Sequence, residues 1–293
     1  RSTEEEAATR SSRDLDAENG TADSITIQLN AEGKPESEGD SEHWAYDYAT
    51  SFSLNLRQGT FTLQPSSESG AESALQTDLD IRKDAEFNSG TVGRRAYNEG
   101  TISDGTFQRE VYNYGTISNG TFQWEVTNEG TISGGIFQRR VYNYEIISDG
   151  TFQGNVRNYG TISGGTFEEA VGVYASSRTE AKIEGGTFEK DMTLANDDAP
   201  ITIKDGLFDG EVVTKKCDSP LSISGGLFTK AVDVSNITNL PNLQITGGYF
   251  VNEPTMPEGS DTGFTTVSDQ NGRTFQVPVN GGFSENNYKT LYV

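Results

Sequence analysis

The sequence predicts an all-β chain folded as a single-stranded, right-handed parallel β-helix, or β-solenoid. Its coils of about 15 residues widen to about 20, and both ends are capped. One phrase, Asn-x-Gly-Thr-Ile-Ser-x-Gly-Thr-Phe-Gln-x-x-Val, recurs with constant spacing between residues 98 and 171. Each unit carries only three isolated apolar positions, which is too few for a pair of packed helices. A Gly falls in almost every turn, and a Gly inside a helix costs roughly 1 kcal/mol relative to Ala.

Three apolar columns define the narrow coils. The first contains Ile102, Ile117, Ile132, Ile147 and Ile162. Five residues after each stands a Phe, at Phe107, Phe122, Phe137, Phe152 and Phe167. Four residues later comes a Val, at Val111, Val126, Val141, Val156 and Val171. We expect these side chains to point inward and to stack on their counterparts one coil, about 4.8 Å, above and below. Successive coils then pair as parallel strands through right-handed crossovers.

The polar positions of the repeat predict corners. Ser103–Thr106 reads as a turn between two strands, with Gly105 free to take a positive φ. An Asn follows the third column, or its Ala96 equivalent, by two residues, at Asn98, Asn113, Asn128, Asn143 and Asn158. By strand alternation these side chains face inward, where their amides can bond one another and the corner backbone. The asparagines are therefore interpreted as scaffold.

The coils lengthen after residue 171. The Ile column continues at Ile183, Ile203, Ile223 and Ile245, and each Ile keeps a Phe five residues on, at Phe188, Phe208, Phe228 and Phe250. The Asn position becomes Val173, Leu194, Thr214 and Val234. A further apolar residue appears two before each Ile, at Ala181, Ile201, Leu221 and Leu243. We expect a wider cross-section toward the C-terminus.

Four segments are predicted. Residues 1–23 are polar and expected to be disordered. Residues 24–86 form an N-terminal cap with the first irregular coils; its apolar residues include Ile25, Ile27, Leu29, Trp44, Tyr46, Tyr48, Leu54, Leu56 and Phe61. Residues 87–250 are the repeats, ten coils counted from Phe87 to Ile245, or a rod of roughly 50 Å. Residues 251–293 form a C-terminal cap with a hairpin turning at Asn271-Gly272.

Composition narrows the classes of function. The 293 residues include 44 acidic and 22 basic ones, a net charge of -22. This field repels phosphate backbones and anionic lipids, so we expect no nucleic-acid partner. No apolar run reaches the length of a membrane span, so no membrane insertion is expected. Cys217 is the only cysteine, which excludes an intrachain disulfide. With no initiator Met or signal peptide, we expect the sequence to begin after a processing boundary.

The repeat also resembles a known group of proteins. Gly-Thr-Ile-Ser-Gly-Gly-Thr-Phe at 160–167, the GGYF at 247–250 and the NGRTFQV at 271–277 are similar to repeat regions of large surface proteins from gut-dwelling Gram-positive bacteria. The resemblance covers about residues 87–280. It implies a pectin-lyase-like right-handed β-helix with an adhesive or structural role. Catalytic residues of pectin-cleaving relatives cannot be carried over, because no motif here matches them.

The sequence offers little for catalysis or metal binding. His43 is the only histidine, so a nucleophilic triad along the rod is excluded, and we expect it to pack beside Trp44. The repeat acids Asp104 and Asp149 alternate with Asn119, Gly134 and Gly164, as turn residues do. A Ca²⁺ at Asp197, Asp198 and Asp205 is an alternative to solvated turn acids, but no calcium motif is present. We predict no enzyme, no metal and no cofactor.

The outward positions predict a binding face. Tyr112 and Tyr114 flank the inward Asn113, so both are expected to face out on one strand. The predicted ligand-binding residues are Tyr97, Arg109, Tyr112, Tyr114, Trp124, Arg139, Tyr142, Tyr144 and Tyr159. Tyr, Trp and Arg concentrated on one side of an acidic rod are typical of interaction surfaces. The alternative is a purely stabilising tyrosine ladder between neighbouring strands.

We therefore predict a non-catalytic module of the bacterial cell surface, or a secreted one, that acts as an adhesin. Its expected partner is a protein or glycan of a host or a neighbouring cell, such as a mucosal glycoprotein or an immunoglobulin. A polysaccharide-active enzyme and a structural spacer are the alternatives. A minor one is an ice-binding solenoid, suggested by the Thr-Ile-Ser triplets at 101, 116, 131 and 161, which Ile146 interrupts. The sequence leaves ligand, anchoring and oligomeric state open.

Overall fold

The structure, a computed structural model, describes residues 23–46, 53–67, 73–176 and 179–279. Within these residues all regular elements are β-strands of one sheet, apart from a 3-10 turn at Leu240–Asn242. Coil pairs with coil in parallel, which confirms the predicted right-handed parallel β-helix. No helix in this part of the chain has the length and apolar character needed to cross a bilayer. Residues 1–22, Tyr48 and 280–293, for which disorder or capping was predicted, lie outside the described residues.

The narrow coils are built mostly from strands of two or three residues joined at glycine-containing corners, although two strands, β14 and β16, continue through the corner for seven residues. These strands are β7 (Ala96–Asn98), β8 (Thr101–Ile102), β9 (Thr106–Phe107), β10 (Val111–Asn113), β11 (Thr116–Ile117), β12 (Thr121–Phe122), β13 (Val126–Asn128), β14 (Thr131–Phe137), β15 (Val141–Asn143), β16 (Ile146–Phe152), β17 (Val156–Asn158), β18 (Thr161–Ile162) and β19 (Thr166–Phe167). Ile102, Ile117 and Ile132 are direct partners across successive coils. Like residues therefore lie on like residues, as predicted.

Phenylalanine rings form a continuous stack through the interior. From Phe107 to Phe250, neighbouring ring centroids lie 4.5–5.1 Å apart with interplanar angles of 5–10°. Phe87 breaks this geometry, meeting Phe107 edge-on at 5.5 Å and 63°. The reason is register: Phe87 pairs with Ile102, and Val92 precedes Phe107 in the Phe column. Phe87 therefore stands in the Ile column, as predicted, and the register continues this column to Phe61 and Ile25 in the earlier coils.

The predicted asparagine ladder is present at the corner of the narrow coils. Each Nδ2 donates to the Oδ1 of the asparagine one coil further on, at 2.6–2.7 Å, from Asn98 through to Asn158. The same Nδ2 atoms also reach corner carbonyls, such as that of Gly130 from Asn128 at 3.1 Å. All five side chains are buried. The ladder thus satisfies backbone groups that the corner would leave unpaired.

The corner at Ser103–Thr106 is the predicted turn with a glycine at positive φ. Gly105 has a φ of 123°, which a residue with a Cβ rarely adopts. The carboxylate of Asp104 accepts a hydrogen bond from the Gly105 N–H at 2.7 Å, and Asp149 and Asp205 do the same for the glycine that follows each of them. The acids of the repeat therefore serve turns.

The wide coils carry a longer side with additional buried residues. Their strands are β20 (Val171–Ala175), β21 (Ala181–Ile183), β22 (Thr187–Phe188), β23 (Met192–Asn196), β24 (Ile201–Ile203), β25 (Leu207–Phe208), β26 (Val212–Cys217), β27 (Leu221–Ile223), β28 (Leu227–Phe228), β29 (Val232–Asp233), β30 (Leu243–Ile245) and β31 (Tyr249–Phe250). Asn158 pairs with Val173, which continues the ladder position with an apolar side chain. The predicted extra column from Ala181 to Leu243 is buried, and the widening is confirmed.

Both ends of the stack are covered. The N-terminal strands are β1 (Ser24–Leu29), β2 (Trp44–Tyr46), β3 (Ser53–Pro65), β4 (Ala74–Leu75), β5 (Asp78–Ser89) and β6 (Thr91–Val92). β1 pairs in parallel with β3, and β2 lies antiparallel to β3 with Trp44 and Tyr46 buried. At the other end β32 (Phe264–Ser268) and β33 (Thr274–Pro278) form an antiparallel hairpin that contacts β31.

Candidate ligand-binding face

The nine predicted ligand-binding residues lie on one side of the rod, on or beside strands β7, β10, β13, β15 and β17. One column runs along these strands in direct register: Tyr97, Tyr112, Thr127, Tyr142 and Arg157. We call it the strand column. Its residues face outward because Val and Asn on either side of them face inward.

A second column, the bend column, contains Glu99, Tyr114, Glu129, Tyr144 and Tyr159. Tyr114 is exposed, as predicted, but it does not lie on the same strand as Tyr112, since β10 ends at Asn113 and Tyr114 lies in the bend that follows. Backbone N–H groups hold the column in place; that of Tyr144 donates to the carbonyl of Asn128 at 2.8 Å. Tyr114 and Tyr144 are 50% and 43% exposed.

The third column lies in the bend before the strand. We call Arg94, Arg109, Trp124 and Arg139 the Arg–Trp column. The guanidinium carbon of Arg109 lies over the Trp124 ring, 5.7 Å from its centroid, in a cation–π contact. Trp124 is still 39% exposed. The contact orders the two side chains and leaves part of the indole free for a partner.

Several tyrosines have neighbours that stabilise the rod itself. Tyr97 stacks on Tyr112 at 5.1 Å and 9°, and Tyr144 stacks on Tyr159 at 5.0 Å and 9°. The centroid of the Tyr142 ring lies 5.8 Å from the guanidinium carbon of Arg140. The Tyr142 hydroxyl also accepts a hydrogen bond from the Arg140 Nη1 at 3.2 Å. The stabilising ladder is therefore real for these pairs. Tyr114 differs, because the residues next to it along its column are glutamates.

The electrostatics of this side favour neutral hydroxyls beside permanent cations. Burial raises the pKa of Tyr144, and the neighbouring Tyr159 adds to the effect. The hydrogen bond with Tyr142 raises the pKa of Arg140, and the charge of Asp78 raises that of Arg95. At neutral pH the Tyr144 hydroxyl is therefore protonated, and both guanidinium groups are charged.

Two open grooves meet at Trp124. One, of about 420 Å³, is lined by Asp78, Arg94, Arg95, Arg109, Glu110 and Trp124. The other, of about 490 Å³, lies on the far side of the indole, and its lining includes Gln138, Arg139, Arg140, Gln153 and Glu169. Trp124 thus separates two depressions along one corner, both lined largely by charged or amide side chains.

The sequence reasoning missed a column of glutamines at this corner. Gln108, Gln123, Gln138 and Gln153 each follow the inward Phe, and all four are exposed. It also missed Arg95 and Arg140, which line the grooves. The glutamines stood in the repeat phrase itself, and their constant place before the Arg–Trp column was the signal that could have identified them.

Other predicted features have structural partners. His43 is partly buried, with Nδ1 2.7 Å from Asp40 and Nε2 3.2 Å from Asp23. Asp197 pairs with Lys216 at 2.6 Å. Across the described residues no group of three or more His, Cys, Asp or Glu is placed to hold a metal. The hydroxyls of Ser133 and Ser163 in the Thr-Ile-Ser array, and that of Ser148 in the coil that interrupts it, donate to carbonyls one coil below, at 3.2–3.4 Å.

Searches of protein-family models, of curated proteins and of solved structures found no match to this chain. The parallel β-solenoid expected from the resemblance of the repeat is present in the structure.

Proposed function

We propose that this chain is a non-catalytic binding module that presents one side of a rigid rod to a protein or glycan of a host or neighbouring cell. The observation that carries the proposal is the concentration of exposed Tyr, Trp and Arg on that side. Trp, Tyr and Arg dominate the energetics of known interfaces. The resemblance of the repeat to bacterial surface proteins supports a location on the cell surface or outside the cell.

Rigidity supports the same proposal. The strand column is held by parallel pairing above and below, and the two bends by coil-to-coil hydrogen bonds. Side chains on such a surface lose little further freedom when a partner binds, which favours affinity. The cation–π contact of Arg109 with Trp124 pre-orders the centre of the face.

The test compares binding before and after the aromatic residues are removed. Tyr112→Ser, Tyr142→Ser and Trp124→Ser are combined, and the protein is screened on a glycan array and against mucosal proteins and immunoglobulins. We expect any ligand bound by the original chain to lose at least about 10-fold in affinity, since loss of one or two interface hot spots costs about 2 kcal/mol or more.

The matched control removes exposed apolar residues from other sides of the rod. Ile136 and Ile146 are 42% and 41% exposed and lie outside the three columns. Ile136→Ser with Ile146→Ser should leave binding unchanged. Full retention of binding by the aromatic variant, with its fold intact by circular dichroism, contradicts the proposal. A complete lack of ligands would favour the structural spacer.

A further inference from the structure

The glutamine column forms an unusual surface next to the Arg–Trp column. The backbone N–H groups of Gln108, Gln123, Gln138 and Gln153 donate to the carbonyls one coil below at 2.8–2.9 Å. Their side-chain amides, in contrast, have no hydrogen-bond partner among the described residues. The corner therefore offers one free amide per coil, at intervals of about 4.8 Å along the axis. Each amide can both donate and accept a hydrogen bond.

The Arg–Trp column provides unpaired cations beside these amides. Arg94, Arg109 and Arg139 are exposed and form no ion pair within the described part of the chain. The adjacent arginines already form ion pairs, Arg95 with Asp78 at 3.1 Å and Arg140 with Glu125 at 3.5 Å. Guanidinium groups without an acidic partner stand out on a chain whose net charge is -22. Their natural complement is a carboxylate or another planar anion.

The order of the column suggests how ligand charges are spaced. Trp124 lies between Arg109 and Arg139, which are two coils or about 10 Å apart, comparable with the length of an extended disaccharide. Glu110, Glu125 and Glu169 also line the two grooves. These acids oppose a densely charged ligand such as a sulfated chain or a phosphate backbone. A ligand with an uncharged unit between two carboxylates fits better, since the uncharged unit can pack on the indole.

The geometry also favours a sugar chain over a peptide. Strand β10 is paired on both sides, by β7 and β13, and β13 is paired by β10 and β15. No strand edge is therefore free here to bind an extended peptide backbone. The grooves are open, and apart from Trp124 their lining consists largely of charged and amide residues, which do not form an apolar pocket for a peptide side chain. Amides and an exposed indole suit the hydroxyls and the C–H face of a sugar.

We propose that the corner formed by the glutamine and Arg–Trp columns binds an acidic oligosaccharide, in which carboxylated and neutral sugars alternate, laid along the rod axis. Arg109 and Arg139 bind its carboxylates, Trp124 packs against the neutral sugar between them, and Gln123 and Gln138 bond its hydroxyls. This inference rests on the proposed binding role of the same side and assigns it a ligand class.

The experiment titrates the protein calorimetrically with hyaluronan oligosaccharides, in which glucuronate alternates with N-acetylglucosamine. We expect binding that is at least about 10-fold tighter than that of neutral chitin oligosaccharides of equal length, as expected for charge-assisted hydrogen bonds. Arg109→Ala with Arg139→Ala should also lose at least about 10-fold, and Gln123→Ala with Gln138→Ala about 3-fold or more.

The control uses the same corner of the wide coils. Lys190 and Lys230 also stand two residues after an inward Phe and are exposed, but Glu189 and Thr229 replace the glutamine beside them. Lys190→Ala with Lys230→Ala removes equal charge and should leave hyaluronan binding within about 2-fold, because any remaining effect is a screened long-range one.

Several outcomes would overturn the inference. The first is that polyglutamate or oligogalacturonate, whose carboxylates are not separated by neutral sugars, binds as tightly as hyaluronan. The second is that the arginine variant binds hyaluronan as tightly as the original chain. The third is that the original chain does not bind hyaluronan at all. Failure of this inference can be distinguished from failure of the proposed function. If another ligand binds the original chain and is lost with Tyr112→Ser and Tyr142→Ser but kept by the arginine and glutamine variants, the binding role holds and the acidic-sugar assignment is wrong.

Discussion

Asn128 shows how single residues hold this rod together. Its Oδ1 accepts from Asn113 at 2.6 Å, and its Nδ2 donates to Asn143 at 2.7 Å. Both partners are as buried as Asn128 itself. A buried amide is costly unless it is paired, so each asparagine here depends on the one above and the one below.

Asn128→Val should therefore destabilise the fold more than Asn158→Val. The first change removes two ladder bonds and leaves the Asn143 Oδ1 without its donor, which we expect to cost roughly 2–4 kcal/mol. The second removes one ladder bond, the one from Asn143, together with the bond from the Asn158 Nδ2 to the Gly160 carbonyl. It lies at the end of the ladder, where Val173 already follows, and should cost about half as much. Urea unfolding measures both. Equal losses would mean that the ladder is not cooperative.

His43 makes the N-terminal cap sensitive to pH. The hydrogen bond with Asp40 raises the pKa of His43 above its usual 6.5, although burial opposes this. The pair therefore stabilises the cap fully below about pH 6.5, and the contribution is lost as the pH rises through the raised pKa.

The titration is easy to follow because the chain has one histidine. Proton NMR of the imidazole should give a midpoint above 6.5, and Asp40→Asn should lower that midpoint. A midpoint at or below 6.5 in the unaltered protein would show that the Asp40 contact does not persist in solution.

At the scale of elements, the C-terminal hairpin protects the open end of the stack. Phe275 and Val277 on β33 pack against Leu227 and Tyr249 of the last coils, and Phe275 meets Tyr249 edge-on at 6.0 Å. Uncovered coils present unpaired backbone and apolar surface to other chains. We therefore expect the hairpin to keep rods from associating end to end.

Phe275→Asp should loosen the hairpin and cause self-association that increases with concentration, because a charge cannot remain in that contact without a partner. Sedimentation velocity measures the association. Val279→Asp is the control, since Val279 is 59% exposed and its substitution should leave the association state of the protein unchanged. If the two variants sediment alike, the hairpin has no capping role.

Bends are where element-level prediction was weakest. The three strand residues Val111–Asn113 followed from alternation, whereas Tyr114 was assigned to the same strand and lies in a bend. Alternation predicts the direction of a side chain only while the backbone stays extended. The alternation of side chains has a period of two residues, so it does not show at which residue a strand of only three residues ends.

For the whole molecule, each coil contacts only its neighbours, so stability is close to a sum over coils. Removing one complete coil should keep the fold. Deleting residues 115–129 joins Tyr114 to Gly130 and preserves every column, because Gly130 occupies the place of Gly115. Small-angle X-ray scattering should show a rod about 4.8 Å shorter.

A deletion of half a coil is the matched comparison. Removing residues 115–122 leaves too short a segment between Val111 and Val126 to pass around the rod. We expect loss of cooperative unfolding, followed by circular dichroism in urea. Similar stability for the two deletions would contradict the repeat as the unit of folding.

The interior of this protein follows from its sequence: the Ile, Phe and Val columns, the asparagine ladder and the widening after Val171. The physical reason is that a constant period places like residues on one another, and packing and buried hydrogen bonds then permit only one direction for each. The surface depends on the three-dimensional fold: the tyrosine pairs, the bend position of Tyr114, and the grooves on both sides of Trp124. Outward side chains are not constrained by the period, so their contacts depend on how the corners turn.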